Sequence, residues 1–460
     1  MILLAGACSL IVGLYALRSP TVAAIVLLIL ISLRRTLNAS VPTPIEMWWF
    51  VFALLVAATV LWMDRTQDRL RGVGAIECAM AVYLLWNVYS MVAPHKYPAV
   101  DILGGQPLTV GRFIIIGILL PFVFYLVGRY TFDRPAAVRA LLWFIVAFAT
   151  YSAAVSIMPS IGLSDVVWPR YIVTEVPAGW TGRAIGILGQ PVVNGMVLAL
   201  GFAVAMFFAG LRSEPRYRRC AMVVIAAACG WGIYLTHTRA AWASAAVVLI
   251  LGALLANDNR RGFIAALGLV SAGIALNWST FTSPDRSAGG VASASEVNDR
   301  LNAIQTSLWA FEREPLVGWG IARFQSINTY HHQQWSVDTP WLRGLGEVSH
   351  ENELGILAEL GVIGLATWIC VLGFIAHRLW KAYRTLPSDD LCGRPLAVIS
   401  IMGFAVLVCT GLTVDLRFFD YPTAVIFLLA GTTIGWWERA GRRGVAPVVD
   451  TPARPVMSHG

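Results

Sequence analysis

Charge is scarce in this sequence: 13% of its 460 residues are charged and 57% are hydrophobic, where an ordinary soluble domain carries about 25% charge. So little charge cannot cover a water-exposed surface, which excludes a soluble globular fold. Alternation is missing too. A membrane barrel strand needs about 10 residues of alternating polarity, and the run 240–256 shows none, which excludes a barrel. The seven cysteines, Cys8, Cys78, Cys220, Cys229, Cys370, Cys392 and Cys409, lie in apolar runs or beside arginine clusters, without metal-type or disulfide-framework spacing. No two histidines have helical spacing with a carboxylate partner, so no metal site is expected. A Walker loop is absent, and Gly318-Trp319-Gly320 is too short for a nucleotide fingerprint and reads as a turn. No cofactor is expected. The net charge of +8 comes from arginines clustered between apolar runs, a topological signal rather than a nucleic-acid footprint. There is no internal repeat.

What is present is a series of apolar runs of the length a helix needs to cross about 30 Å of hydrocarbon. They fall at 2–17, 21–33, 45–63, 74–92, 113–127, 138–157, 191–210, 221–235, 240–256, 263–278, 354–376, 396–414 and 423–437. The expected fold is all-α, a polytopic transmembrane bundle of about 12–13 spans with one long periplasmic loop carrying helices. The first two runs are short and joined by Arg18-Ser19-Pro20, so they read as a hairpin, a re-entrant pair or one interrupted crossing. The N-terminus is apolar from Ile2 without a basic start or a cleavage site, which reads as a first membrane segment rather than a signal peptide.

Basic clusters occupy alternate loops, among them Arg129/Arg134/Arg139, Arg212/Arg216/Arg218/Arg219 and Arg439/Arg442/Arg443. Basic residues are retained in the cytoplasm during insertion, so these loops are assigned inside. Arg34 and Arg35 fall on the wrong side of that scheme. The opposite loops face outward, and one of them, 279–353, is far longer than the rest. The chain thus divides into N-terminal membrane helices (1–278), a periplasmic loop domain (279–353), C-terminal membrane helices (354–438) and a disordered cytoplasmic tail (439–460). Within the loop, Ser293 and Glu296 fit a capping box. Val297, Leu301, Ile304, Leu308 and Phe311 then recur at helical spacing up to Pro315. They predict an amphipathic helix lying on the membrane domain.

Three outward arginines run against the inside bias. Arg239, in Thr236-His237-Thr238-Arg239, is squeezed between apolar runs, where a charge needs a reason. It reads either as an anion site, since guanidinium holds phosphate bidentately, or as a snorkelling helix-end arginine. Arg300 and Arg183 add cations on the same side, unless each pairs with a carboxylate such as Asp299 or Glu312. His350, where the loop returns to the membrane, can act as a base near neutral pH or merely bond the backbone at a helix start. Glu351 and Glu353 are alternative bases. His237 is a candidate neighbour of Arg239, and His331 and His332 read as surface residues.

Together these pieces resemble the O-antigen ligase family of bacterial membrane glycosyltransferases, which includes lipopolysaccharide ligases and Wzy-type polysaccharide polymerases. The resemblance covers roughly 183–420. It rests on Thr236-His237-Thr238-Arg239-Ala240, on an arginine opening a loop helix at Arg300, on Pro315-Leu316-Val317-Gly318-Trp319-Gly320, and on His350 eight residues before Ala358-Glu359-Leu360-Gly361. The sequence departs from the family pattern at Glu351 and Val192, where Asn is common. The resemblance implies a polyprenyl-pyrophosphate-linked glycan donor and a glycan or lipid A-core acceptor. It implies metal-independent inverting transfer at the periplasmic face of the inner membrane, with polymerisation slightly favoured over ligation. Membrane lipids and polysaccharide assembly proteins are the further partners implied. His350, Arg239 and Arg300 are the implied catalytic residues, and Arg183, His237 and Glu353 the substrate-binding ones. A transporter or flippase of the same lipid-linked sugar is the alternative; against it, the polar residues concentrate in one loop rather than at midplane.

Overall fold

A computed structural model describes residues 19–36, 47–66, 73–100, 108–285, 289–291, 293–388 and 390–442. Every apolar run within them is helical. The principal helices are α1 (Pro20–Ser32), α2 (Met47–Thr66), α3 (Ala75–Val92), α4 (Val110–Thr131, with a π-helical turn at Ile115–Leu119), α5 (Pro135–Ile157), α6 (Pro191–Gly210) and α7 (Arg216–Leu235). They continue with α8 (Arg239–Leu255), α9 (Arg260–Leu276), α10 (Ser295–Arg313), α11 (Phe324–Tyr330), α12 (Asn352–Thr385), α13 (Arg394–Gly411) and α14 (Asp420–Arg442). Prolines at the first turns of α1, α5, α6 and α13 start these helices where a missing N–H costs nothing.

Among the described residues seven helices are long and apolar enough to cross a membrane, and an eighth crossing is added if α8 and α9, bent 115° from each other, form one span. The thirteen candidate runs therefore resolve unequally. α1, at 13 residues, is about 20 Å long, shorter than the hydrocarbon layer. α14 is a buried helix carrying charge at both ends, and it continues to Arg442, past the point where the tail is expected to begin. The run 2–17 and the tail beyond 442 lie outside the described residues.

α6 is the axis of the bundle, buried along most of its length, with α5, α7, α8 and α13 packed around it. α4 and α14 pack backbone to backbone: a Cβ at Gly431 would stand 2.0 Å from the Tyr125 carbonyl oxygen, and one at Gly435 2.2 Å from that of Arg129. This is the close approach that a Gly-x-x-x-Gly spacing permits. At one end of this pair Arg129 lies between Glu77 and Glu438, with its Nη2 2.9 Å from Glu438 Oε1. Arg439 donates there to the carbonyls of Arg129 and Tyr130. The sequence pattern reads both arginines as members of loop clusters; they are buried, and a buried charge persists only when paired. The other end of the bundle carries the long loop and is called the loop face below. Arg34 lies there, 2.7 Å from Asp420, and Arg35 pairs with Glu175 at 2.7 Å, so both residues that defy the basic-cluster scheme have carboxylate partners.

An unbroken α12 of 34 residues would be about 51 Å long, well over a membrane thickness. It breaks at Gly361, whose φ of 65° and ψ of −169° are non-helical. The turn read from Pro315 to Gly320 docks there and satisfies the groups the break leaves open. Trp319 N donates to Ala358 O (3.0 Å), Gly320 N to Glu359 O (2.8 Å), and Val362 N to Pro315 O (2.8 Å). Any side chain at Gly361 would collide with the Leu316 carbonyl, 2.2 Å from the Cβ position. Residues 352–360 are thus a short helix at the loop face, and the membrane-length helix begins at Val362 rather than near 354.

Candidate functional site

The loop helix α10 spans the stretch its periodicity predicts, with its other face turned inward. Asn302, Ala303, Thr306, Ser307 and Ala310 are buried, whereas Val297 and Leu308, of the apolar stripe, are exposed. The small residues allow close packing against the start of α12, and Asn302 ties the loop together through Pro340 O (3.1 Å), Arg343 O (2.9 Å) and Trp335 N (2.8 Å). The capping box is not formed, since the helix is capped at Ala294 without a side-chain bond. The Ser293 carbonyl instead receives Arg239 Nη2 at 2.6 Å.

That contact joins α10 to α8. Arg239 opens α8 behind Thr238, in extended conformation at the N-cap. His237, two residues earlier, has φ 45°, a left-handed conformation rare outside glycine. Its ring packs edge-on against Tyr234 (5.5 Å), and its carbonyl accepts from Arg183 Nη2 at 3.2 Å. His237 therefore positions Arg183 through its backbone. Arg183 is held from a third direction, because Asn194 Nδ2 and Leu235 O bracket Ala184 at 3.0 and 2.8 Å. Among the described residues its carboxylate partner is Glu296, at 3.5 Å.

Arg300 projects from the flank of α10 and makes no hydrogen bond or ion pair among the described residues. Burial pulls its guanidinium below the ordinary arginine value; the like charges of Arg239 and Arg183 pull it further, and Glu351 opposes them. Burial alone lowers Arg183. Asp299 does not neutralise Arg300, for it pairs with Arg343 (3.1 Å). Among the described residues the buried Nε atoms of Arg183 and Arg239 have no hydrogen-bond partner. Three guanidiniums thus stand within electrostatic reach of one another, with Glu296, Glu351 and the Arg343-paired Asp299 as the carboxylates that bear on them.

His350 stands where the loop enters α12, with φ 56° and its side chain about a third exposed. It is not the backbone-bonded helix-start histidine that the sequence also allows. Its Nε2 lies 2.7 Å from Glu347 Oε2. Glu351, the N-cap of α12, connects the two halves of the site: burial raises its carboxyl, Arg300 lowers it, Glu353 raises it and His350 lowers it. Glu353 points the other way, toward the end of α13 beside Gly411; its Oε1 accepts from Asn352 (3.2 Å) and its buried Oε2 has no partner.

Beneath the start of α12 lies a charge set that the sequence reading missed. Arg417 is buried and bonds Asp415 twice (Nε–Oδ1 2.9 Å, Nη2–Oδ2 2.6 Å) and Glu359 Oε2 (2.7 Å), while Glu359 Oε1 accepts the Phe324 amide at 2.8 Å. Asn352 Oδ1 takes the Leu416 amide at 3.2 Å. The 415–417 turn so fixes the segment that carries His350, Glu351 and Glu353. Two charges between apolar runs were the available signal. Of the two loop histidines read as surface residues, His332 is buried between Asn328 Oδ1 (2.6 Å) and Trp341 O (2.7 Å), and His331 stacks on Trp309 at 4.6 Å. Among the described residues no group of His, Cys, Asp and Glu has the arrangement to hold a metal ion.

No curated protein matches this chain. Residues 221–369 match the family model described as O-antigen ligase. The matched segment contains Arg239, Arg300, Glu347, His350 and the Gly361 break, while Arg183 and Arg417 lie outside it. About a third of the chain, residues 221–369, is thus similar to the O-antigen ligase family, within an all-helical chain that has seven helices long and apolar enough to cross a membrane among its described residues.

Proposed function

We propose that this protein transfers a glycan from a polyprenyl-pyrophosphate carrier to an acceptor hydroxyl at the periplasmic face of the bacterial inner membrane, in surface or exopolysaccharide biosynthesis. The carrying observation is the meeting of Arg183, Arg239 and Arg300, with Glu351 within electrostatic reach of both Arg300 and His350. A pyrophosphate leaving group needs charge stabilisation as its bond to the anomeric carbon breaks, and Arg239 and Arg300 supply it from the chain's own residues. Arg183, held by His237, draws the anion in. His350 takes the proton of the attacking hydroxyl, and in-line displacement inverts the anomeric centre. Chain polymerisation is slightly favoured over transfer to lipid A core.

The test is reconstitution in liposomes with a polyprenyl-pyrophosphate oligosaccharide, offering lipid A core or a second lipid-linked oligosaccharide as acceptor. His350→Ala is expected to slow transfer by about 10²- to 10⁴-fold. Transfer at the wild-type rate by that variant would remove His350 from the role of base.

A further inference from the structure

To act as a base His350 needs a partner that fixes its tautomer, and the identity of that partner rests on the glycosyl-transfer reading. His350 offers Nε2 to Glu347 Oε2 at 2.7 Å, and its Nδ1 has no partner among the described residues. The contact bridges three residues of a strained turn, since His350 holds φ 56° to make it. Ser349 Oγ donates across His350 to the Glu351 carbonyl at 2.8 Å, so the turn is held on both sides of the ring.

We propose that Glu347 is the positioning partner of His350, receiving the Nε2 proton and so holding the tautomer whose Nδ1 can take the proton of the acceptor hydroxyl. In the transfer step the hydroxyl O–H bond breaks toward Nδ1, the oxygen bonds the anomeric carbon, and the sugar–phosphate bond breaks with its electron pair on the pyrophosphate. The imidazolium so formed faces the Glu347 carboxylate, which stabilises it until the proton passes to water. Other charged groups bear on the pair from each packed element. Arg343 lies on the same segment, Asp299 on α10, and Glu351 on α12, itself next to Glu353 and Arg300. The hydrogen bond from His350 holds the Glu347 carboxyl below its usual range against the opposing effect of burial, as a carboxylate with a fixed donor should be. Burial raises the Asp299 carboxyl and the nearby Glu347 charge raises it further, so Asp299 sits close enough to feel the pair without bonding it.

The tautomer is read without catalysis from the ring-nitrogen chemical shifts of His350 in the full chain labelled with ¹⁵N-histidine, where the wild type is expected to carry its proton on Nε2. Glu347→Gln is expected to slow transfer about 10- to 100-fold through kcat, with KM for the donor near wild type, and Glu347→Asp, which keeps a carboxylate, should restore most of the loss. Transfer at the wild-type rate by Glu347→Gln overturns the proposal, and so does an equal loss in Glu347→Asp and Glu347→Gln with a lowered unfolding midpoint, the signature of a purely structural role. A proton held on Nε2 in a protein whose wild type transfers no glycan would leave the pair standing and remove the glycosyl-transfer reading instead.

Discussion

Arg417 and Arg239 both stand at the loop face within reach of the start of α12 or α10, and they are treated in opposite ways. Arg417 is enclosed by two carboxylates that take three of its hydrogen bonds. Arg129, at the far end of the bundle, is enclosed in the same manner by Glu77 and Glu438. Among the described residues Arg239 bonds only a carbonyl, and Arg300 makes no hydrogen bond or ion pair, with Glu351 and Asp299 acting on it only at longer range. Since burying a charge is costly unless it is compensated, the first kind of arginine is complete in itself. The second kind is the one proposed above to receive an anion. Saturation by the chain's own carboxylates is what separates the two kinds in the structure.

The largest effect that could break this distinction belongs to the saturated kind. Arg417→Ala leaves Asp415 and Glu359 buried without their cation and should cost about 3–5 kcal/mol of stability, seen as a lowered thermal unfolding midpoint of the purified protein. Arg239→Ala and Arg300→Ala should leave that midpoint close to wild type. If all three lower it equally, the arginines do not fall into two kinds.

Next in size is the loss of function from the unsaturated kind. Arg239→Ala and Arg300→Ala should each slow glycan transfer by about 10²- to 10³-fold, the usual consequence of removing one group that stabilises developing negative charge. Lysine at either position should restore little, because a point charge lacks the planar fork that grips two phosphate oxygens. Full activity with lysine would mean that charge alone is required.

How far these residues were legible in the sequence follows the same physics. Spans announce themselves through composition, so each apolar run among the described residues proved helical. Arg239 and His350 stand out as candidates in the sequence because each flanks an apolar run, and Arg300 because it is an outward arginine against the inside bias. The inward face of α10 was not. Periodicity reports that a helix has two faces, while the choice between them is made by packing, and here small Ala303, Ser307 and Ala310 fit where the larger apolar stripe does not. The break at Gly361 is written in two separate motifs, and their meaning appears only when the turn at Pro315–Gly320 is placed against it in space. Glu347 carried no periodic or compositional signal, since its partnership with His350 depends on one left-handed residue in a loop.

Arg183 offers the finest test, because it lies between the two kinds. It has a carboxylate, Glu296, but at 3.5 Å, and carbonyl partners at Gly179 and His237 that carry no net charge. A guanidinium so placed keeps part of its positive potential and spends the rest inside the chain. Acting on a bound anion from a part-hydrated position it should contribute about 1 kcal/mol, so Arg183→Ala should slow transfer only roughly 5-fold at low donor concentration. Glu296→Gln should do the reverse. By releasing Arg183 from its carboxylate it should lower the KM for the donor about 2-fold at low salt, and the gain should fade as ionic strength rises. Should Glu296→Gln instead raise KM, Glu296 would belong to the substrate side of the site, and the carboxylate count around the three arginines would no longer explain how they act.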